Sequence, residues 1–199
     1  VGMPWYVPPQ AWHSHPQFDR NFLPRFKKYL HTANKPLSVL ELGTRRSNPD
    51  APTIHRSWAP DDCEYIGTDF MDGLDVDVVS DAHTMSQVFG ENRFDAVISD
   101  STFEHIERPW IAAREVAKIL KPGGVMFCSV PFAFPQHGYP NDYWRFTPDA
   151  LRVLFEDAGL ETIAAHFSTP CRVVSEHDPN MQGIETFSQS RILSRKPQS

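Results

Sequence analysis

The chain has 199 residues, a formal net charge of −6 and 40% hydrophobic residues, 12% of its residues being aromatic. That length suits one domain with a real core, and no charge run or Gly/Ser linker divides it. The negative balance argues against a partner held by phosphate neutralisation, so nucleic-acid binding is not expected. No stretch approaches the ~20 consecutive apolar residues of a membrane span, and the N-terminus lacks a basic-then-apolar leader pattern; a soluble cytoplasmic protein without membrane association is expected.

Three widely spaced cysteines, Cys63, Cys128 and Cys171, contain no Cys-x-x-Cys pair and read as reduced thiols. Charge is unevenly placed. From Asp61 to Glu107 thirteen acidic residues face the single basic Arg93, and most of these carboxylates read as a solvated face.

In chain order, a proline- and histidine-containing arm reaches Pro16. From Gln17 to Thr32 the residues Phe18, Phe22, Leu23, Phe26, Tyr29 and Leu30 recur at helical spacing, with Pro24 a break or kink. Residues 1–36 thus form an arm and lead-in helix, and residues 37–199 the main domain. Short apolar, β-branched runs follow: Ser38 to Leu42, Tyr65 to Thr68, Val76 to Val79, Ala96 to Ser99 and Val125 to Val130. Pro49, Pro52 and Pro60 shorten the first crossover. A helix over Ile111 to Leu120 stops at Lys121-Pro122-Gly123-Gly124. Thr147-Pro148-Asp149 starts another, running to about Ala158, with Thr147 as N-cap. Strands near Leu160 to Phe167 and Ser190 to Ser194 complete an α/β, doubly wound, mostly parallel sheet.

In such sheets ligands bind beyond the carboxyl ends of the strands. Glu41-Leu42-Gly43-Thr44 follows the first, where Gly43 admits close backbone approach and Glu41 suits a ligand ammonium. Asp69 follows the second and can accept from both hydroxyls of a ribose. Asp81, with Ala82 and His83, follows the third and suits an adenine amino group. Ser99 and Asp100, then Phe103, Glu104 and His105, follow the fourth. Each acid alone is also an ordinary turn former; three successive strands delivering one at the same end make a cofactor site.

The runs VLELG, YIGTDF, VVSDAH, FDAVISDSTFEHIERPW and REVAKILKPGGVMFCSVP resemble, in order and spacing, the motifs of class I S-adenosylmethionine-dependent methyltransferases over about Ser38 to Leu160. The resemblance implies a Rossmann-like seven-stranded sheet with its last strand antiparallel, and S-adenosyl-L-methionine as cofactor. Glu41 and Gly43 would lie near its methionine part, Asp69 at the ribose, Asp81, Ala82 and His83 around the adenine, and Ser99 and Asp100 along the floor of the site, with Thr44 and Phe70 also binding the cofactor. The chain departs from the family's Gly-x-Gly-x-Gly turn, since Gly43 is followed by Thr44-Arg45-Arg46-Ser47. Arg45 or Arg46 would then reach the cofactor carboxylate or an anionic acceptor. The lost glycines also keep open the alternative of a catalytically silent cofactor- or partner-binding domain.

Methyl transfer needs alignment and, where the acceptor loses a proton, a base. His105 and His137 are the catalytic candidates. The aromatic segment Pro131 to Pro148 has the length of a lid, in which Tyr139, Asp142, Tyr143 and Arg145, with Phe103, would bind the acceptor, while Trp144 and Phe146 pack. The segment resembles one in bacterial methyltransferases of sugar-modifying pathways, which implies a small, hydroxylated, sugar-linked acceptor and O-methylation. Some ubiquinone-pathway and small-RNA O-methyltransferases hold a divalent ion with Glu-x-x-Glu-His after the fourth strand. Here Ser101 stands at the first Glu, leaving only Glu104-His105, and no metal is expected.

Overall fold

A computed structural model describes residues 21–32, 35–46, 48, 50, 55–138, 141–174, 177 and 182–198. The elements are α1 (Phe22–His31), β1 (Ser38–Leu42), β2 (Glu64–Asp69), β3 (Val78–Val79), α2 (Met85–Phe89), β4 (Phe94–Asp100), α3 (Pro109–Ile119), β5 (Leu120–Pro131), α4 (Pro148–Glu156), β6 (Glu161–Val174) and β7 (Gln182–Arg195), with 3-10 turns at Arg56–Trp58 and Phe103–His105. The sheet has seven strands in the order β3-β2-β1-β4-β5-β7-β6. β1 pairs in parallel with β2 and β4, and β4 with β5, whereas β7 runs antiparallel to both its neighbours. The expected α/β architecture with an antiparallel last strand is therefore the one observed.

Alternation along the central strands fills two cores, because successive side chains leave opposite faces. Leu40, Val97, Met126 and Cys128 meet Ala112, Val116, Leu151 and Phe155 on one face. Val39, Ala96, Ile98 and Phe127 meet Phe22, Phe26, Leu30 and Trp58 on the other. The lead-in helix is thus part of the sheet's second core, with Phe26 and Phe127 stacked at 5.0 Å.

Several boundaries differ from expectation for definable reasons. Residues 17–20 of the expected lead-in helix lie outside the described residues. Pro24 does not break α1, because it occupies the first turn, where backbone N–H groups have no intrahelical acceptor in any case. The Lys121 to Gly124 turn ends α3 as expected but is absorbed into β5 as a bulge. β4–β5 register jumps from Phe94↔Leu120 to Ala96↔Val125, and Gly123 takes φ +78°. β6 and β7 are far longer than their apolar runs, 14 residues each, since beyond the sheet they pair mainly with one another and need no buried face. Among the described residues no helix is long and apolar enough to cross a membrane.

α4 begins as its sequence dictates: Thr147 Oγ1 accepts from the Ala150 N–H at 3.1 Å, with Pro148 at the first helical position. Thr147→Ala is expected to lower unfolding free energy by about 1 kcal/mol, read by urea denaturation, without changing the fold.

Candidate active site

Four strands deliver their polar residues to one edge of the sheet. At the end of β1 the backbone turns through Gly43, at φ +87°, where a Cβ would fall 2.0 Å from Thr102 Oγ1. Only glycine fits between this loop and the segment after β4. Thr102 in turn donates to the Leu42 carbonyl at 3.1 Å. Thr44 and Ser99 are buried, and neither hydroxyl has a hydrogen-bond partner among the described residues.

The acids behave differently from one another. Glu41 is only 3% exposed and is bound by His55 Nδ1 at 2.5 Å and by the Tyr65 hydroxyl at 2.5 Å. His55 Nε2 reaches Asp100 at 3.2 Å, so one imidazole bridges two carboxylates. Burial works against a charge on His55, but its bonds to Asp100 and Glu41 prevail and raise it to about 9. Burial likewise pushes Asp100 up, and the His55 bond outweighs it, leaving that carboxyl below its ordinary value. Asp69 accepts from the Met71 N–H at 3.1 Å and the Arg45 N–H at 3.3 Å, which orders the turn at Phe70. Asp81 accepts from the His83 N–H at 2.9 Å and its ring Nδ1 at 2.7 Å, Ala82 being buried beneath.

Arg46 is paired with Asp75 through two bonds, at 2.5 and 2.7 Å. Arg45 lies against Gly73.

A second group gathers beyond β4 and β5. Glu104 is fully buried, and neither of its carboxylate oxygens has a hydrogen-bond partner among the described residues. Burial, then the charges of Asp100 and Asp142, raises it to about 8. His105 and His137 bring their rings to a centroid separation of 5.1 Å, with Nε2 atoms 3.6 and 3.9 Å from Glu104 Oε1. The neighbouring cleft, about 360 Å³, is lined by Gln136, His137, Gly138, Asn141, Asp142 and Tyr143.

Three acceptor-binding expectations need correction. Phe103 is fully buried and packs on Phe155 at 5.3 Å, so it belongs to the core and not to the cleft. Arg145 makes five hydrogen bonds within the protein: to both oxygens of Asp142 and to the Phe134, Pro135 and Trp144 carbonyls. A guanidinium has five N–H donors, so none remains for a ligand. Asp142, held below the carboxylate range by Arg145, also accepts from the His137 backbone N–H at 2.7 Å; the pair shapes the loop from inside. Tyr143 does face the cleft, 45% exposed. Tyr139 lies outside the described residues. Glu104 is noted after the fourth strand but given no role there, because nothing local in the sequence signals that its carboxylate is buried without a hydrogen-bond partner among the described residues.

Protonated His55 is linked to stability. Its folded value of about 9 lies above the ordinary 6.5, so its contribution is complete below pH 6.5 and is lost as pH rises through about 9. The stability advantage of wild type over His55→Ala, from urea denaturation, is expected to shrink by about 3 kcal/mol between about pH 6 and about pH 10. An advantage that stays constant would contradict the charged bridge.

Comparison with known proteins agrees with the fold. A family profile described as "Methyltransferase domain" matches residues 15–165. The chain is 32% identical to a ubiquinone biosynthesis O-methyltransferase of Dinoroseobacter shibae over 46% of its own length, and spans 43% of that relative. Its fold is similar to that of a SAM-dependent methyltransferase from Archaeoglobus fulgidus, with a TM-score of 0.62 and 17% identity over 87% of this chain and 92% of that one. It is also similar to the 1,6-didemethyltoxoflavin-N1-methyltransferase of Burkholderia thailandensis, solved with S-adenosylhomocysteine, with a TM-score of 0.57 and 17% identity over 99% and 93% of the two chains. The family match covers most of the chain, which therefore belongs to the class I S-adenosylmethionine-dependent methyltransferases.

Proposed function

We propose that this protein transfers a methyl group from S-adenosylmethionine to an oxygen of a small hydroxylated acceptor, sugar-linked in the reading its aromatic loop supports. The observation that carries this is the cleft lined by His137, with Glu104 and His105 next to that ring, which would meet an acceptor hydroxyl with proton-accepting groups.

Features beyond β1 to β4 fit the cofactor. Glu41 and Asp100 form an anionic pocket that already holds a cationic imidazole and so suits an ammonium. Thr44 and Ser99 offer buried hydroxyls without hydrogen-bond partners among the described residues, and Gly43 admits close approach. The Asp69 oxygens retain lone pairs for ribose hydroxyls after accepting one N–H each. When bound, S-adenosylmethionine supplies an activated sulfonium methyl, so the protein's own work is alignment, water exclusion and proton removal.

His105 suits the last task. Its Nδ1 sits 2.6 Å from the Asn141 carbonyl, which can only accept, so that nitrogen carries the proton and Nε2 presents a lone pair. Tyr143 stands at the cleft's edge to orient the acceptor.

The reading separates two sets of variants. Asp69→Ala is expected to weaken S-adenosylhomocysteine binding, measured by calorimetry, by on the order of 1–3 kcal/mol. His137→Ala and Tyr143→Phe should leave that affinity within a few-fold yet lose formation of S-adenosylhomocysteine when a panel of hydroxylated acceptors is supplied. His105→Ala should lose turnover most. Cofactor binding without turnover on any acceptor would favour the silent-domain alternative.

A further inference from the structure

We infer that Glu104, His105 and His137 form a binding site for one divalent transition-metal ion beside the cleft that His137 lines. Their three ligand atoms lie within 4.8 Å of one another. Two ligands about 2.0–2.2 Å from a common ion stand roughly 3–4 Å apart. The Glu104 Oε1 separations of 3.6 Å to His105 Nε2 and 3.9 Å to His137 Nε2 fall in that range while being too long for hydrogen bonds.

The carboxylate supplies an independent observation. Glu104 is 0% exposed, and neither of its oxygens accepts a hydrogen bond among the described residues. A buried polar group left this way is costly, and a cation between it and the two imidazoles removes the cost. The imidazoles are arranged for the purpose. His105 Nδ1 donates to the Asn141 carbonyl at 2.6 Å, and His137 Nδ1 lies 3.3 Å from both the Pro135 carbonyl and Asp142. All three partners are acceptors, so both Nδ1 atoms carry the proton and both Nε2 lone pairs are left toward Glu104. An outer nitrogen anchored by a carbonyl or carboxylate is the usual setting of a metal-ligating histidine. Gly138 lets the loop close on the site: at φ +83°, a Cβ there would fall 2.3 Å from His105 Cε1.

Two imidazoles with one carboxylate suit zinc, manganese, iron or cobalt in the divalent state better than magnesium or calcium. His137 also lines the cleft, so an ion held by it would lie beside the space proposed for the acceptor. On the O-methylation reading, on which this part of the inference rests, Glu104 and the two imidazoles would hold the ion, which would supply Lewis-acid activation of the acceptor hydroxyl in place of base catalysis by His105; the hydroxyl proton would pass to solvent, and the oxygen would gain the methyl group as the S–CH3 bond breaks with its electron pair left on sulfur. The inference departs from the expectation of no metal, which considers ligands only around Glu104, whereas the third, His137, comes from the loop after β5.

The test uses the full chain, stripped of metal by chelation and without cofactor or acceptor. Titration with cobalt(II), followed by its visible absorption, and with zinc(II), followed by calorimetry, should give one equivalent bound and ligand-field bands of a nitrogen-containing site. Glu104→Gln and His137→Ala should lose both signals while retaining the wild-type circular dichroism spectrum and S-adenosylhomocysteine affinity. No stoichiometric binding by the wild type, or binding unchanged in both variants, overturns the inference. Because these signals need no turnover, absence of methyl transfer to hydroxyls would count against the acceptor reading while the metal site stands.

Discussion

Parallel pairing of β1 with β2 and β4, and of β4 with β5, sends all these strands out of the sheet at the same edge. Whatever polar residue follows each strand is therefore collected there. The result is a concentration of carboxylates, Glu41, Asp69, Asp100 and Glu104, that the interior can hold only with compensation. Cations and donors accordingly converge on it. His55 bridges Glu41 and Asp100, while backbone N–H groups take Asp69. Glu104 is the member for which the protein supplies no hydrogen bond among the described residues. The chemistry of the site follows from where this compensation is complete and where it is not.

The loop after β5 shows how an irregular segment acquires a fixed shape without regular secondary structure. Arg145 gathers three carbonyls and a carboxylate from the loop's two limbs, and Trp144 donates to the Ile106 carbonyl at 3.0 Å. Backbone N–H groups of Tyr143 and Trp144 reach the Glu104 carbonyl, tying the loop to the turn that carries Glu104 and His105. Polar residues that look from the sequence like ligands for a substrate are here the internal frame on which His137 is held.

Much of the fold was legible because alternation and punctuation are local signals. The apolar runs of β1, β4 and β5, the Lys121 to Gly124 stop and the Thr147 cap each lie within a few residues of the feature they specify. The overhanging halves of β6 and β7 were not, since neither needs an apolar face, and Pro170 and Gly183 read as breaks. In the site, the acids at the strand ends were legible from topology alone. The bridging of Glu41 and Asp100 by His55 was not, because its partners lie 14 and 45 residues away in sequence. Phe103 and Arg145 were misplaced for a related reason: residue type does not reveal whether a side chain's surface and donors are already used by the protein itself.

Gly43 and Thr102 bear on how such a protein can change over generations. Thr102 lies directly under the first loop, and Glu104 is two residues further along the same turn. A side chain larger than hydrogen at position 43 would displace Thr102 and with it the turn that carries Glu104, so a substitution there perturbs the ends of both β1 and β4 at once. The loop between Pro131 and Pro148 has no such tie to the first loop in the contacts described. If the cleft takes the acceptor, as proposed, new acceptor preferences are most accessible through exchanges at cleft-facing positions such as Gln136 and Tyr143, with the first loop inherited unaltered.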